Sequence, residues 1–264
     1  MSQIVFVNHN AGFFSCCSIR LHEITAFFNK NGKLPQKVIS ERSFKWYKVN
    51  TDRDITFDYF KPYEGRKLPA DAPPSEYSHE LQFAIYSTIA YPTITPLIDI
   101  YFSPSVEIQS MMDTMIAKYQ MDFANLAVLF YRGNDKIRET KLCGYNEYIE
   151  KAHSLLATNP ELRFWVQSDE TEFIELMLAT FPTNSFVMKE EIRHMKKQNA
   201  TVDANKTRID WFSKNYLAIT IMMSRCKYVV CGSGNCSIWI MLYRGHARNI
   251  LQNLNGRWIS TIEA

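Results

Sequence analysis

Residues 126–139, LAVLFYRGNDKIRE, join a run of apolar side chains to a turn rich in charge. The apolar part, residues 126–131, has the length and composition of one buried strand. The polar residues that follow are Arg132, Asn134, Asp135, Lys136, Arg138 and Glu139. In open α/β sheets, side chains just beyond the carboxyl ends of the strands line the crevice that binds the ligand. The stretch therefore predicts an α/β fold with a functional site at the end of this strand.

The residue types in this turn favour an anion. Arg132 offers a planar fork of donors suited to phosphate, and Lys136 adds a compact positive charge. Each charge-assisted hydrogen bond contributes about 1.5–3 kcal/mol when it is shielded from water. Asp135 is placed to orient Arg132, and Glu139 is free to act as a base. The alternative is a solvated loop with internal ion pairs, because surface charges are common and contribute little.

Composition narrows the class of protein. The chain has 264 residues, of which 46% are hydrophobic, so it can bury a large core. A net charge of +3 is too small to indicate nucleic acid as a partner. We expect a soluble cytoplasmic protein, because no apolar run approaches the roughly 20 residues of a membrane span and no secretion signal precedes the first apolar run. The six cysteines match no zinc-ligand spacing and are expected to be reduced and mostly buried.

Apolar periodicity divides the chain into alternating strands and helices. In the first half we predict strands at residues 4–7 and 38–40, another at 46–49 or 55–59, and helices at 15–29 and 106–119. In the second half we predict strands at residues 126–131, 163–167, 185–188, 228–231 and 249–251, and helices at 145–157, 171–180, 209–225 and 235–243. This alternation implies parallel sheets covered on both faces.

Two later strand ends and one early turn carry further candidate ligand groups. Ser168 and Asp169 end a strand, where they either cap the next helix or contact a ligand. Residues 232–235 form a glycine-containing turn directly before a helix, whose free amides make an anion site. The residues of this turn are Gly232, Ser233, Gly234 and Asn235. Gly12 stands where the first strand turns into a helix, so the backbone can approach a ligand closely there.

The glycine-containing turn does not indicate a dinucleotide or an ATP site. It reads G-x-G-x-x-S, but an NAD enzyme needs an acidic residue about 20 positions later, and no Asp or Glu occurs between Asp210 and Glu263. No G-K-[ST] follows the turn, so it is not a Walker P-loop.

Taken together, the three turns resemble the C-terminal domain of the α1,6-fucosyltransferase and protein O-fucosyltransferase group, glycosyltransferases of the GT-B type. That family has a strand followed by H-V-R-R-T-D-K, then a strand that ends in Ser/Thr-Asp, and then a small-residue turn before a helix. The matching segments here are FYRGNDK at residues 130–136, QSDE at 167–170 and CGSGN at 231–235.

The resemblance implies a role for each turn. Arg132 would bind the β-phosphate of a nucleotide-diphosphate sugar, and the turn at residues 233–235 would support the pyrophosphate. The family's catalytic glutamate falls on Glu139, which would deprotonate the acceptor hydroxyl in an inverting displacement. No metal and no cofactor would be needed, because Arg132, Lys136 and helix amides neutralise the leaving diphosphate.

Three positions depart from the family pattern. Phe130 stands where the family has a histidine that reads guanine, and Ile219 stands where it has an aspartate that reads the other edge of the base. Gly133 replaces the second arginine of the first motif. Phosphate binding is therefore expected to be retained, while the donor is either GDP-fucose-like, as in the family, or a UDP-sugar such as UDP-xylose.

We therefore predict a GT-B-like α/β protein of two Rossmann-like parallel-sheet domains, residues 1–122 on the acceptor side and 123–264 on the donor side, facing a central cleft. Its partners would be a nucleotide-sugar donor and a glycan acceptor. Aromatic residues beside the proline-rich segment 61–74 either stack on acceptor sugars or pack internally; they are Tyr59, Phe60, Tyr63 and Tyr77.

Two alternatives remain at this point. One is a catalytically silent carbohydrate- or nucleotide-binding module of the same fold. The other is a metal-dependent transferase that uses the D-x-D pair Asp52 and Asp54 to hold a divalent cation beneath the nucleotide.

Overall fold

The computed structural model describes residues 3–263, and in them strands and helices alternate as the apolar runs predict. The strands are β1 (Ile4–Phe6), β2 (Lys37–Ile39), β3 (Leu126–Tyr131), β4 (Arg163–Ser168), β5 (Ser185–Phe186), β6 (Tyr228–Gly232), β7 (Ile250–Leu254) and β8 (Arg257–Ser260). The α-helices are α1 (Phe13–Asn31), α2 (Thr56–Tyr59), α3 (Tyr91–Tyr101), α4 (Val106–Tyr119), α5 (Tyr145–Thr158), α6 (Thr171–Thr180), α7 (Ile209–Met223) and α8 (Asn235–Arg244).

The second half of the chain forms a doubly wound sheet with the strand order β5-β4-β3-β6-β7-β8. Strands β3 to β7 run parallel, so the predicted parallel sheet is confirmed. The chain moves outward from β3 to β5 and then returns to β6 on the other side of β3. Right-handed crossovers place α5 and α6 on one face and α7 and α8 on the other. A crevice therefore opens between the carboxyl ends of β3 and β6.

The central strand β3 is the one that the sequence specifies most strongly. All six of its residues are buried, which is the pattern of a parallel strand covered on both faces. Val128 pairs with Trp165 of β4 on one side and with Val229 of β6 on the other. This register aligns the carboxyl ends of the three strands, where the polar turns begin.

The first half of the chain contributes a small parallel sheet, β1 with β2, beside α1. The further strand predicted at residues 46–49 or 55–59 is wrong. The first of these stretches overlaps a 3₁₀ turn, Lys45–Tyr47, and the second contains α2. The Asp54 carboxylate accepts a hydrogen bond from Thr56 N at 2.9 Å and fixes a helical turn where β-branched and aromatic residues favour a strand.

The C-terminal hairpin was not predicted. β7 continues to Leu254, and β8 pairs with it in antiparallel orientation. Asn255 and Gly256, between them, both have positive φ, at 52° and 80°. An Asn-Gly pair in this conformation forms the tight turn that matches the twist of two antiparallel strands. The signal was in the sequence, in the pair Asn255-Gly256.

One continuous hydrophobic core joins the two sheets, so the division into residues 1–122 and 123–264 stays a prediction. The four aromatic residues proposed for acceptor stacking are buried in this core at 1–5% exposure, which makes packing their role; they are Tyr59, Phe60, Tyr63 and Tyr77. All six cysteines are free and buried, as predicted. Among residues 3–263, no helix combines the length and apolarity needed to cross a membrane.

Candidate active site

A cleft of about 440 Å³ lies between the turn that follows β3 and the start of α1. The first half of the chain lines it with Gly12, Phe13, Phe14, Ser15, Trp46 and Gln82. The second half lines it with Arg132, Asp135, Lys136, Glu139, Tyr216 and Asn235, among others. Two of the three predicted strand-end turns, those after β3 and β6, thus meet Gly12 in one place.

Arg132 is held at the centre of this site by three side chains. Its Nε donates to Asp169 Oδ2 at 3.0 Å, and one terminal nitrogen donates to Asp135 Oδ1 at 3.2 Å. The other terminal nitrogen donates to the Tyr216 hydroxyl at 2.8 Å. Burial raises the pKa of Tyr216 well above its ordinary value, so this hydroxyl stays neutral. The arginine side chain remains 21% exposed and lines the cleft.

Ser168 and Asp169 lie beneath the first turn and support it. Asp169 is 4% exposed, and it accepts a hydrogen bond from Gly133 N at 3.0 Å in addition to that from Arg132. The Ser168 hydroxyl accepts from Glu170 N at 3.0 Å. These contacts fit the positioning of Arg132 rather than a hydrogen bond to a ligand, and the predicted donor-binding role of the pair stays a prediction.

Glu170 also fixes this turn, although its role was not foreseen. It is fully buried, and its carboxylate accepts from Asn134 N at 2.6 Å and from the Tyr145 hydroxyl. Asn134 has a positive φ of 26°, and its side chain donates to Asp169 O at 2.9 Å. The backbone after Arg132 is therefore tied down at consecutive residues.

Lys136 connects the first turn to the third. Its Nζ donates to Glu139 Oε2 at 2.5 Å. Its Cε carbon lies 3.8 Å from the position that a Cβ atom on Gly234 would occupy. Gly234 precedes α8 and has a φ of 141°, a conformation open to glycine. The Lys136 ammonium group therefore lies against the N-terminus of α8.

The third turn is held by its side chains, one of which joins the two halves of the chain. Asn235 Oδ1 accepts from the Ser18 hydroxyl of α1 at 2.7 Å, and the Ser233 hydroxyl donates to Asn253 O at 3.0 Å. Gly232, Ser233 and Gly234 line a small cavity that adjoins the cleft and shares Arg132 and Lys136 with it. The Gly234 amide donates to Gln82 O at 3.0 Å, and the first backbone amides of α8 that follow it have no partner inside the helix.

Gly12 supplies a second helix N-terminus to the same cleft, because α1 begins at Phe13. The first turns of α1 and α8 both lack acidic residues. Each helix end carries a partial positive charge that attracts anions. Three cationic side chains, Arg132, Lys136 and Arg138, and three carboxylates, Asp135, Glu139 and Asp203, line the same cleft. The two helix ends and the cations are the groups that suit a diphosphate.

Glu139 lies at the rim of the cleft and is 41% exposed. Its carboxylate accepts a hydrogen bond from Lys136, and its predicted role as a base stays a prediction. Asp52 and Asp54 do not line the cleft. Asp54 instead accepts hydrogen bonds from Ser40 N and from the Thr56 backbone and hydroxyl. Within the described part of the chain, no three His, Cys, Asp or Glu side chains are grouped as metal ligands would be.

The two positions that depart from the guanine-reading pattern present no polar group. Phe130 is 1% exposed within β3, and Ile219 is fully buried on α7. The cleft residues that the sequence analysis did not single out include Trp46, Gln82 and Tyr216. Trp46 and Gln82 come from short 3₁₀ helices, and Tyr216 comes from an α-helix whose sequence is that of an ordinary core helix. No local pattern marks any of them.

No family model matches the sequence, and no curated protein matches it either. Solved structures do match. The NodZ α-1,6-fucosyltransferase co-crystallised with GDP superimposes with a TM-score of 0.61 at 11% identity, covering 98% of each chain. The fucosyltransferase NodZ from Bradyrhizobium gives a TM-score of 0.61 at 12% identity, again over 98% of each chain. NodZ soaked with GDP-fucose gives 0.57 at 11% identity, over 99% of this chain and 100% of that one.

The chain therefore has the GT-B fold of the fucosyltransferase-like glycosyltransferases. Its structure is similar to that of NodZ along nearly its whole length. The resemblance predicted from the three turns is confirmed at the level of the fold.

Proposed function

We propose that the protein is a glycosyltransferase that uses a nucleotide-diphosphate sugar as donor and a glycan hydroxyl as acceptor. The observation that carries this proposal is the convergence of Arg132, Lys136 and the N-termini of α1 and α8 on one cleft. Cationic side chains and helix amides donate hydrogen bonds that complement a diphosphate. The cleft also lies at the topological switch point of the sheet, where α/β proteins bind nucleotides. The similarity in fold to proteins crystallised with GDP and GDP-fucose supports the same reading.

The proposed reaction is an inverting displacement. The acceptor oxygen attacks the anomeric carbon, the bond from that carbon to the β-phosphate oxygen breaks, and the acceptor proton passes to Glu139. The nucleoside diphosphate leaves with the bonding electron pair. Arg132, Lys136 and the helix amides stabilise its developing charge, so the mechanism needs neither a metal nor a cofactor.

The first test is binding. Calorimetric titration with UDP and GDP should give binding to the native protein, and Arg132→Ala should weaken it at least tenfold, since it removes a charged partner of the diphosphate. Arg66→Ala is the matched control, because Arg66 is partly buried and hydrogen-bonded but lies outside the cleft. Equal affinity for UDP and GDP in Arg132→Ala and in the wild type would show that Arg132 does not bind the diphosphate.

The second test is turnover, measured as release of nucleoside diphosphate from GDP-fucose and UDP-xylose in the presence of a panel of glycan acceptors. Glu139→Gln should reduce kcat by about 10²–10⁴, the usual contribution of a positioned base, and leave nucleotide affinity unchanged. Nucleotide binding without turnover in the wild type would favour the silent binding module. Loss of activity in EDTA, restored by a divalent cation, would favour the metal-dependent alternative.

A further inference from the structure

A groove of about 940 Å³ lies at the opposite edge of the sheet from the cleft. It is bounded by the ends of α7 and α8 and by the segments that lead into β3, β6 and β7. Because these strands are parallel, their amino ends form one edge of the sheet, and their carboxyl ends, where the cleft lies, form the other. The groove is therefore a surface separate from the proposed active site.

Positive charge is concentrated in this groove. The charged side chains that line it are four cations and one carboxylate; they are Arg225, Lys227, Arg244, Arg248 and Glu263. Their net charge of +3 equals that of the whole chain, in which 30 Lys and Arg face 27 Asp and Glu. The rest of the chain is therefore balanced in charge. A concave surface lined by one sign of charge focuses its field and attracts counter-ions.

Arg244 holds the groove together, and the other cations are left to face the solvent. Its guanidinium group donates to the backbone carbonyl oxygens of Ser224, Cys226, Lys227 and Arg248. These bonds fix the segment before β6 against the segment before β7. The ion pair of Arg248 with Glu263 is long, at 4.0 Å, and both side chains are more than half exposed. Such a pair contributes little, so Arg248 can bind another anion.

The groove offers charge without an exposed apolar surface. None of the large hydrophobic side chains that are exposed in residues 3–263 lines it. Arg225 covers the ring of Phe123 at 5.9 Å, and Tyr243 donates its hydroxyl to Phe102 O at 3.0 Å. Protein partners and membrane-bound segments bury apolar side chains at their contacts, and single-stranded nucleic acid stacks its bases on free aromatic rings. The groove therefore suits a polyanion that is recognised by charge alone.

We infer that this groove binds an acidic oligosaccharide, whose carboxylate or sulfate groups pair with Arg225, Lys227 and Arg248. Guanidinium groups bind such oxyanions through two parallel hydrogen bonds. A sugar chain carries its charges on hydroxylated rings, so it needs no apolar pocket. The volume of the groove is near the upper end of the range for ligand sites, about 300–1,000 Å³, which suits several sugar units. The inference does not depend on the proposed function, because no described residue lines both the groove and the cleft.

The test is calorimetric titration of the full chain with a heparin octasaccharide, a polygalacturonate octasaccharide and a neutral dextran octasaccharide. We expect both acidic oligosaccharides to bind, and we expect the neutral one to give no measurable binding. Affinity for the acidic oligosaccharides should fall at least about tenfold between about 50 mM and 200 mM salt, because each charged contact releases bound counter-ions.

Arg225→Gln/Arg248→Gln should weaken binding of the heparin octasaccharide at least about tenfold, because it removes two of the three cations that face the ligand. Arg42→Gln/Arg257→Gln is the matched control. It removes the same charge from exposed arginines that do not line the groove, and it should change the affinity by less than about twofold. Glu263→Gln should strengthen binding, because it removes the carboxylate that lines the groove.

Absence of binding by both acidic oligosaccharides, equally tight binding of dextran, or equal losses in the two double variants would overturn the inference. So would tighter binding of a thymidine oligonucleotide or of phosphatidylserine vesicles than of the heparin octasaccharide, which would assign the groove to nucleic acid or to a membrane surface. Any of these results together with UDP or GDP binding that depends on Arg132 would leave the proposed function intact.

Discussion

The Glu170 carboxylate occupies the space that a side chain on residue 133 would need. A Cβ atom built on Gly133 would lie 2.1 Å from Glu170 Oε1 and 2.2 Å from its carboxyl carbon. The carboxylate cannot move aside freely, because it is fully buried and bonded to Asn134 N. Glu170 therefore requires glycine at residue 133, the position at which the fucosyltransferase pattern has its second arginine.

Gly133→Ala should destabilise the protein by about 2–3 kcal/mol, the cost of forcing extra volume into a packed site. Nucleotide affinity should also fall, because Arg132 precedes the displaced residue. Urea unfolding and calorimetry measure the two effects. Gly12→Ala is the control: Gly12 has a φ of −56° and nothing within 4 Å of an added Cβ atom, so the change should cost only the N-cap preference for glycine over alanine, less than about 1 kcal/mol.

The same contact predicts non-additivity. In a Glu170→Ala background, Gly133→Ala should cost less than it does in the wild type, because the truncated side chain leaves room for the new methyl group. Coupled neighbours usually show interaction energies of about 0.5–3 kcal/mol in such cycles. An equal loss of stability in both backgrounds would mean that glycine is required at residue 133 by the backbone conformation and not by Glu170.

The elements that build this site could largely be read from the sequence. β3 is a continuous apolar run, and its predicted bounds agree with the structure, as do those of α4 and α6. In such segments the spacing of apolar residues and the residues that end the element both lie within the segment itself. The strand predicted at residues 46–49 or 55–59 does not form. The Asp54 carboxylate bonds the backbone at Thr56 into a turn, and strand propensity does not take such a hydrogen bond into account.

The chemistry of the site was predicted less completely, and for a different reason. Arg132 and Lys136 could be proposed from residue type and from their place after a strand. Tyr216 and Glu170 could not, because they reach the first turn only through the packing of α7 and the end of β4 against β3. Contacts between residues far apart in sequence depend on how the layers assemble, which no local pattern encodes.

Asp169 and Asp135 both bond Arg132 but should contribute unequally. Asp169 is 4% exposed and also holds Gly133 N, whereas Asp135 is 30% exposed. Asp169→Asn should therefore lower pyrophosphate affinity by about tenfold, while Asp135→Asn should change it by less than threefold, because exposed ion pairs contribute little. Titration with pyrophosphate measures both. Equal losses would indicate that Asp135 orients the arginine as strongly as the buried acid does.

Lys136 and Lys214 form a matched pair for testing the charge of the cleft. Their side chains are 13% and 12% exposed, and both are paired with carboxylates. Lys136 lies against the N-terminus of α8, whereas Lys214 pairs with Glu107 and Asp210 outside the cleft. Lys136→Met should weaken UDP or GDP binding about tenfold, whereas Lys214→Met should not alter it. A similar loss in both would trace the effect to net charge and not to contact with the diphosphate.

The pH dependence of stability should include a contribution from His246. Burial, together with the neighbouring Arg244 and Arg248, lowers the pKa of His246, and the nearby Glu263 only partly opposes this. The neutral ring is also needed in the folded state, because its Nδ1 accepts a hydrogen bond from Arg248 N at 3.2 Å. The unfolded chain therefore takes up a proton on this ring at a higher pH than the native chain does.

It follows that the contribution of His246 to the free energy of unfolding is fully retained above about pH 6.5, the ordinary histidine value. It is lost as the pH falls through that value towards the lower native pKa, because protonation then favours the unfolded state. Urea unfolding at pH 7.5, 6.5 and 5.5 should show a smaller loss of stability in His246→Asn than in the wild type. An identical pH dependence in the two proteins would show that other groups account for the acid sensitivity.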